Sequence, residues 1–254
     1  GWARRPAAAS TTIAATSRYR HAERTTMAVA LITGANRGIG LALVKAFAGR
    51  RDKVFACVRA SSDREALDAF AASTPQWVEV IEMDVSDPAQ IGRVRRKLEA
   101  EPIDVLINNA GIGGPDRQSA TDMDFEGLEE AFRVNSMAPL RVALAFLPNV
   151  KAAKGRIITL SSQMGATGAS ADNLAYRVSK QAVNRLMRGL ATELKPHGIP
   201  VLIVNPGWVK TDMGGEGAQL TTDESAANLV KLIDKLDIGS TGQFLAWNGK
   251  ELAW

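Results

Sequence analysis

The chain has 254 residues, of which 46% are hydrophobic and 23% are charged. This length and composition fit one globular domain and exclude a fibrous or disordered protein. No uninterrupted apolar stretch approaches the roughly 18 residues that span a bilayer, so we expect no membrane segment and a cytoplasmic protein. The single cysteine, Cys57, excludes an intrachain disulfide and a thiolate metal cluster, and its apolar surroundings predict a buried structural thiol.

The formal net charge of +4 is carried by the first 26 residues, which hold five arginines and one glutamate. From Met27 onward 26 basic residues face 26 acidic ones, so we expect no nucleic-acid partner. Residues 1–26 have two explanations: an organelle-targeting leader, which would imply import, or sequence upstream of a natural start at Met27 that the expressed chain retains. We favour the second, because the strand pattern begins immediately after Met27 and the chain starts with Gly1, and we expect this segment to be poorly ordered.

From Met27 short β-branched runs alternate with longer helical patterns, which predicts parallel strands joined by crossover helices. We expect one α/β domain over residues 27–254, a Rossmann-type doubly wound parallel sheet of about seven strands with helices on both faces. The predicted strands are Val29–Thr33, Lys53–Val58, Trp77–Met83, Ile103–Ile107, Arg156–Leu160, Pro200–Val204 and Gln243–Ala246. The predicted helices are Ile39–Arg50, Arg64–Ala72, Pro88–Ala100, Phe125–Phe146, Leu174–Leu194 and Asp223–Leu236. Two glycine-rich and polar stretches, Gly111–Asp122 and Gly207–Thr222, follow strand ends and are the expected walls of a site.

A glycine-rich run joins the first predicted strand to the first helix: Thr33-Gly34-Ala35-Asn36-Arg37-Gly38-Ile39-Gly40. Glycines permit a tight turn and let the backbone approach a pyrophosphate, which the free N–H groups of a helix N-terminus attract. Glycine triplets alone indicate this only weakly, because many strand-to-helix turns need glycine for conformational reasons. The spacing here is G-x-x-x-G-x-G.

Further motifs follow in order along the chain. They are Asp84-Val85, Asn108-Asn109-Ala110-Gly111, Asn135, Ser162, Tyr176-Arg177-Val178-Ser179-Lys180 and Pro206-Gly207. With these motifs and the glycine-rich run, the chain from Met27 to its C-terminus resembles the short-chain dehydrogenase/reductase family. Within the family, the short loop after Pro206 and the ending Phe244–Gly249 are most similar to the small carbonyl-reductase branch related to Sniffer and the C-factor proteins.

The resemblance implies a nicotinamide dinucleotide. After the second strand of such folds, an acid indicates NAD, whereas an arginine accommodates the additional phosphate of NADP. Here Val58 is followed by Arg59, and Arg37 offers a second guanidinium, which predicts NADP(H). Either arginine alone would be an ordinary solvent-facing residue. By resemblance, the cofactor would contact Gly34, Asn36, Arg37, Gly38, Ile39, Gly40, Arg59, Asp84, Val85, Asn108, Ala110, Gly111, Tyr176, Lys180, Pro206, Gly207, Val209 and Thr211.

The resemblance also assigns parts of the cofactor to these residues. Asp84 and Val85 would hold the adenine, and Asn108, Ala110 and Gly111 would line the adenosine ribose. The loop from Pro206 to Thr211 would cover the nicotinamide, with Thr211 near the carboxamide. Without the resemblance, Asn108 and Asn109 could be plain turn residues, and Pro206-Gly207 a simple turn.

Tyr176 and Lys180 are four residues apart on a predicted helix and therefore share one face. We expect the ammonium to lower the tyrosine pKa from about 10, which makes Tyr176 the proton donor for a carbonyl. Ser162 would donate a hydrogen bond to the substrate oxygen, with Ser161 as its rival. Ser162 lies fourteen positions before Tyr176, one more than is usual in the family, which predicts an insertion within Gly165–Leu174.

By resemblance, Asn135 would hold a water that links Lys180 to solvent; on its own it could be a helix-kinking polar residue. The expected substrate is a small aldehyde, ketone or alcohol. Trp208 and Met213 would border its pocket, or else pack under their own loop. His197, the one histidine after Met27, lies in a predicted turn, so we expect neither a metal site nor a Ser-His-Asp triad.

Two other functions stay open. A 3-oxoacyl-carrier-protein reductase would need a basic docking patch, which the neutral charge after Met27 disfavours. An NADP-binding signalling module would bind the dinucleotide without turnover, although all four catalytic positions are retained here. Family members are often dimers or tetramers, so a homo-oligomer is compatible with the resemblance.

Overall fold

The computed structural model describes residues 27–166, Gly168 and 170–254. Residues 1–26, for which the sequence leaves two explanations, and two positions of the expected insertion, Thr167 and Ala169, lie outside the described residues. In chain order the strands are β1 (Val29–Thr33), β2 (Lys53–Val58), β3 (Val78–Glu82), β4 (Val105–Asn108), β5 (Gln118–Ser119), β6 (Asp122–Met123), β7 (Arg156–Leu160), β8 (Val201–Asn205) and β9 (Phe244–Ala246). Seven of them form one sheet in the order β3-β2-β1-β4-β7-β8-β9, and every neighbouring pair is parallel.

Helices cover both faces of this sheet. They are α1 (Gly38–Gly49), α2 (Glu65–Ser73), α3 (Pro88–Lys97), α4 (Phe125–Phe132), α5 (Ala138–Ala145), α6 (Leu147–Ala153), α7 (Leu174–Leu194) and α8 (Thr222–Lys235). Buried side chains of α3, α5 and α7 pack in one cluster against the sheet, and those of α1, α2 and α8 form a second cluster on the opposite face. The predicted doubly wound α/β fold is confirmed. None of the described helices is both long enough and apolar enough to cross a membrane.

The strands are apolar on both sides because helices cover both sides. All five residues of β8 are buried, and so are five of the six in β2. Cys57 in β2 is fully buried, and burial raises the pKa of its thiol to about 12. The thiol is therefore protonated and unreactive at neutral pH, as predicted for a structural cysteine.

The prediction of one continuous helix from Phe125 to Phe146 is wrong. A π-helical turn, Arg133–Met137, separates α4 from α5, and a further helix, α6, follows that the sequence pattern did not predict. The turn buries Asn135 and Ser136, whose side chains bond Ser179 on α7: the Asn135 amide donates to the Ser179 hydroxyl (3.0 Å), and the Ser136 hydroxyl donates to the Ser179 carbonyl (2.7 Å). These contacts to another helix account for the break in regular α-helix.

A small antiparallel hairpin, β5–β6, begins within the stretch Gly111–Asp122, which was expected to form a wall of the site, and ends at Met123. Gln118 of β5 pairs with Met123 of β6, and Ser119 pairs with Asp122. The ion pair between Arg117 and Asp122 (2.8 Å) stabilises the same hairpin. A two-residue strand carries no readable alternation, so periodicity does not predict it.

The chain after β9 folds back along the edge of the sheet. It turns at Gly249 (φ +85°), and Glu251 then forms an antiparallel bridge with Leu245. The Leu252 N–H donates to the Phe244 carbonyl (2.8 Å). The Trp254 ring packs against the Phe244 ring, with 5.7 Å between the centroids. This terminal segment lies beside the last strand as an added partner.

Two phenylalanines allow a matched test of the core. Phe146 is fully buried beside the sheet, whereas Phe125 at the start of α4 is 70% exposed. We expect Phe146→Ala to lower the free energy of unfolding by about 3–5 kcal/mol, because it removes buried apolar surface and leaves a cavity. Phe125→Ala should change the free energy by less than about 0.5 kcal/mol. Urea unfolding measures both, and equal effects would contradict the described core.

Candidate active site

The site lies at the carboxyl ends of the central strands. The strand order reverses between β1 and β4. From β1 the chain adds β2 and β3 on one side of the sheet, and then returns to place β4 on the other side of β1. Ligands of open α/β sheets bind in the crevice at such a switch point. The glycine-rich loop leaves β1 at this point, and the stretches that follow β4, β7 and β8 begin at the same edge of the sheet.

The glycine-rich loop has a conformation that its glycines make accessible. Gly34 and Gly38 have φ values of +64° and +55°, in the left-handed region. A side chain on Gly40 would overlap the Gly34 carbonyl oxygen, and one on Gly34 would lie 2.8 Å from the Cα of Ala110. The Asn109 amide donates to the Thr33 and Gly34 carbonyls (2.8 and 2.9 Å), which ties the loop to the end of β4.

Helix α1 begins inside this loop, and no described side chain caps its first turn. Its first N–H groups are therefore available at the positive end of the helix dipole. An anion such as a phosphate fits this arrangement, since a helix N-terminus after a tight glycine turn binds phosphates through its backbone. The residues present thus fit the dinucleotide that the sequence predicted.

The two predicted phosphate-binding arginines lie at the rim. Arg37 is exposed and forms an ion pair with Asp212 of the loop after β8. Arg59 is exposed directly after β2, and within the described part of the chain no ion pair involves it. The neighbouring Asn36 amide donates to the Asp63 carbonyl (2.8 Å) and so joins the glycine loop to the segment after β2.

The residues predicted near adenine and ribose have different surroundings. Asp84 is half-buried and accepts hydrogen bonds from the backbone and hydroxyl of Ser86 (2.8 and 2.7 Å), and Val85 is buried beside it. Asn108 is 2% exposed, and its amide donates to the Pro139 carbonyl on α5 and to the Thr159 hydroxyl on β7. The Asn108 side chain therefore supports the interior, which leaves its backbone as the part able to face a ribose.

Tyr176 and Lys180 share one face of α7, as their spacing predicts. The Lys180 ammonium lies 5.7 Å from the centre of the Tyr176 ring and donates to the Leu160 carbonyl at the end of β7 (3.0 Å). Ser162, two residues further along, hydrogen-bonds the Tyr176 side chain. One helix and one strand end thus bring together a phenol, an ammonium and a hydroxyl.

The expected lowering of the tyrosine pKa is wrong for the protein chain alone. Burial raises the pKa of Tyr176, and the hydrogen bond with Ser162 opposes this increase in part. Lys180 does not offset it, because its ammonium points to Leu160 and burial lowers the pKa of Lys180 itself to about 8. Tyr176 is consequently protonated at neutral pH, the state that a proton donor needs.

Ser161 and Ser162 face different surroundings. Ser161 is 3% exposed, and its hydroxyl donates to the side-chain oxygen of Asn184 on α7. Ser162 caps a short 3-10 turn, Gln163–Gly165, by accepting from the Met164 N–H (3.1 Å), and it also contacts Tyr176. Of the two serines, Ser162 is the one beside the phenol.

Asn135 and Lys180 approach the same small space. Asn135 exchanges two hydrogen bonds with the Ile112 backbone, at 2.9 and 2.8 Å. A Cβ built on Gly111 would lie 3.2 Å from the Asn135 side-chain oxygen and 3.5 Å from the Lys180 nitrogen. Gly111 therefore has no side chain that would crowd these two polar atoms.

The loop Gly207–Thr222 forms the opposite wall. A bridge between Val209 and Leu220 closes its base. The methyl group of Thr211 would lie 3.2 Å from a Cβ on Gly38, so this loop touches the glycine-rich loop. The Trp208 indole donates to the Gly214 carbonyl (2.8 Å), which binds the ring to its own loop.

Met213, which is 56% exposed, extends from this loop toward Gly113 on the wall after β4. Of the two predicted pocket residues, Met213 therefore reaches across the cleft, and Trp208 packs on its own loop. Within the described residues, no group of three or more His, Cys, Asp and Glu side chains could hold a metal ion.

Three polar side chains that contribute to the site were missed at the sequence level. Gln118 accepts from the Tyr176 N–H, Asp212 pairs with Arg37, and Asn184 bonds Ser161. Each acts across a large separation along the chain. Short motifs and helical spacing contain no information on such contacts, although the polar position of Asn184 on the buried face of α7 could have drawn attention to it.

The fold and this set of residues define a Rossmann-type oxidoreductase. Residues 28–220 match the family described as short chain dehydrogenase, and the chain belongs to that family. It is similar to C-signal from Myxococcus xanthus, with 38% identity over 156 residues, which is 60% of this chain and 93% of that protein.

Two solved structures have closely similar folds. The NADPH-bound carbonyl reductase from chicken fatty liver superposes with a TM-score of 0.82 at 34% identity, covering 90% of this chain and 99% of that one. The carbonyl reductase Sniffer of D. melanogaster has a TM-score of 0.84 at 32% identity, covering 90% and 100%. The resemblance to the carbonyl-reductase branch is thereby confirmed.

Burial of Lys180 predicts a pH-dependent cost in stability. Its pKa falls from 10.5 to about 8 in the folded protein, so between these pH values the unfolded chain binds more protons and stability rises with pH. Below pH 8 the cost is fully present, and above pH 10.5 it is gone. We expect Lys180→Met to raise the free energy of unfolding by about 2–3 kcal/mol at pH 7, and to give little gain at pH 10.5.

Urea unfolding at both pH values measures this effect. The matched control is Lys231→Met, since Lys231 lies exposed on α8 and should change stability by less than about 0.5 kcal/mol at either pH. A gain for Lys180→Met that does not depend on pH would contradict a buried ammonium.

Proposed function

We propose that this chain is an NADPH-dependent carbonyl reductase, or the corresponding alcohol dehydrogenase, with Tyr176 as the proton donor. The observation that carries the proposal is the grouping of Tyr176, Ser162 and Lys180 at the switch point, beside a glycine loop that fits a phosphate. When bound, the nicotinamide supplies the hydride. The NADPH-bound chicken carbonyl reductase, similar over 90% of this chain, supports the same chemistry here.

The side chains divide the work on the carbonyl oxygen. Ser162 donates a hydrogen bond to the oxygen as negative charge develops on it. Tyr176, kept protonated by burial, transfers its proton to that oxygen. The Lys180 ammonium, 5.7 Å from the centre of the Tyr176 ring, exchanges the Leu160 carbonyl for the phenolate oxygen once the proton has left, and only then stabilises the phenolate by its charge. Asn135 holds a water beside Gly111 through which the proton is replaced from solvent.

The cofactor preference follows from charge at the rim. Arg37 and Arg59 bind the additional phosphate of NADPH, which requires Arg37 to exchange its partner Asp212 for the phosphate. NADH has no such phosphate and leaves the ion pair in place. Gly34, Gly38 and the first turn of α1 hold the pyrophosphate in both cases.

Removal of the phenol tests the mechanism. We expect Tyr176→Phe to lower kcat on aldehydes and ketones by about a hundredfold or more, because the general acid is lost, while the affinity for NADPH stays within about threefold. NADPH consumption is measured with a panel of aldehydes, quinones, diketones and a 3-oxoacyl thioester, and NADPH binding by calorimetry. Tight NADPH binding with no turnover on any carbonyl would favour a signalling module instead.

A double substitution tests the cofactor. We expect Arg37→Ala with Arg59→Ala to weaken NADPH binding by about a hundredfold or more, since two charge-assisted contacts are lost, and to change NADH binding by less than about threefold. Asp212→Asn serves as the control of opposite sign: it frees Arg37 and should strengthen NADPH binding by up to about fivefold without affecting NADH. Equal weakening of both cofactors in the double variant would refute the phosphate assignment.

A further inference from the structure

The Gln118 side chain joins the cleft wall to the catalytic helix. Its amide oxygen accepts a hydrogen bond from the Tyr176 N–H (3.1 Å), and its amide nitrogen donates to the Gly113 carbonyl (3.2 Å). Gln118 lies 58 residues before Tyr176 in the chain and is half-buried on the β5–β6 hairpin. One amide group therefore satisfies two main-chain groups on separate segments.

The bonded N–H is one that the helix cannot satisfy by itself. Tyr176 is the third residue of α7, and the first four N–H groups of a helix have no intrahelical partner. Asn173, the residue before the helix, has a left-handed backbone (φ +50°), and among the described residues it supplies no capping side-chain bond. Gln118 takes over the capping function from a distant part of the chain.

The main-chain carbonyl of Tyr176 is also held by a side chain. The Ser179 hydroxyl donates to the Tyr176 carbonyl (2.7 Å) and accepts from the Asn135 amide (3.0 Å). Asn135 in turn bonds the Ile112 backbone. Both main-chain groups of Tyr176 are thus connected, each through an amide side chain, to the segment that forms the wall after β4.

We propose that Gln118 is a positioning residue for Tyr176: it sets where the phenol lies relative to Ser162 by fixing the first turn of α7 to the cleft wall. This rests on the proposed function, in which Tyr176 donates the proton. The Arg117–Asp122 ion pair (2.8 Å) stabilises the hairpin internally and so holds Gln118 in place.

The experiment compares Gln118→Leu, which removes both hydrogen bonds at similar volume, with Gln118→Glu, which keeps an acceptor for the Tyr176 N–H. Ser119→Ala is the matched control on the same hairpin, since Ser119 is exposed and bonds within the hairpin. Each variant is measured for kcat, KM, NADPH affinity and the pH dependence of kcat, and hydrogen exchange of the Tyr176 amide reports on the bond itself.

We expect Gln118→Leu to lower kcat about tenfold, with KM and NADPH affinity within about twofold, because a displaced acid affects the chemical step. The alkaline limb of its pH profile should move to higher pH, since a displaced phenol loses the Ser162 bond that lowers its pKa. Gln118→Glu should recover kcat to within about threefold of the natural enzyme, and Ser119→Ala should match the natural enzyme in kcat and pH profile.

Several results would overturn the proposal. A Gln118→Leu enzyme that is less stable but has an unchanged kcat and pH profile would make Gln118 a structural cap only. If Gln118→Leu does not fold, a folded Gln118→Glu enzyme with a tenfold loss of kcat would decide against the capping role. Full turnover by Tyr176→Phe would overturn the proposed function as well, whereas an inactive Tyr176→Phe beside a fully active Gln118→Leu would overturn the positioning role alone.

Discussion

The proposed active site depends on a lysine ammonium held out of water, with no carboxylate partner among the described residues. Lys180 is 5% exposed and donates to the Leu160 carbonyl, and burial lowers its pKa to about 8. A buried cation is costly, so the surrounding structure has to hold it there. Apolar residues of the same helix, among them Val183 and Met187, are fully buried against the sheet and provide that anchorage. The packing of α7 against the sheet therefore sets the geometry of Tyr176 and Lys180, the proposed catalytic groups.

Those parts of the fold and site that local sequence encodes were predicted. All seven strands of the main sheet were found, with ends displaced by two residues or fewer, because strands covered on both faces are mostly apolar. Gly34 and Gly38 were recognisable because a left-handed backbone strongly favours one residue type. Tyr176 and Lys180 were paired because four residues make about one helical turn.

The remainder depends on side chains that meet across long separations. Asn135 bonds Ile112 and Ser179 and lies in a π-helical turn, which a helical pattern does not register. The same pattern gave the proximity of Lys180 to Tyr176, but neither the direction of the ammonium nor the extent of burial, and so it gave the wrong sign for the tyrosine pKa. Periodicity describes which face of an element is buried; it does not describe which polar atoms meet there.

The strand-like return of the chain beside β9 has a consequence for solution behaviour. An open parallel sheet ends in strands whose free N–H and C=O groups can recruit another chain, which is a common origin of aggregation. At β9 the Leu252 N–H already bonds Phe244, and the Ala246 N–H bonds the Lys250 carbonyl (2.8 Å). At the other border, Glu79 of β3 carries a charge paired with Lys97. The returning C-terminal segment covers the β9 edge, and β3 at the opposite edge carries a charge. Both features protect the sheet against the addition of a strand from another chain.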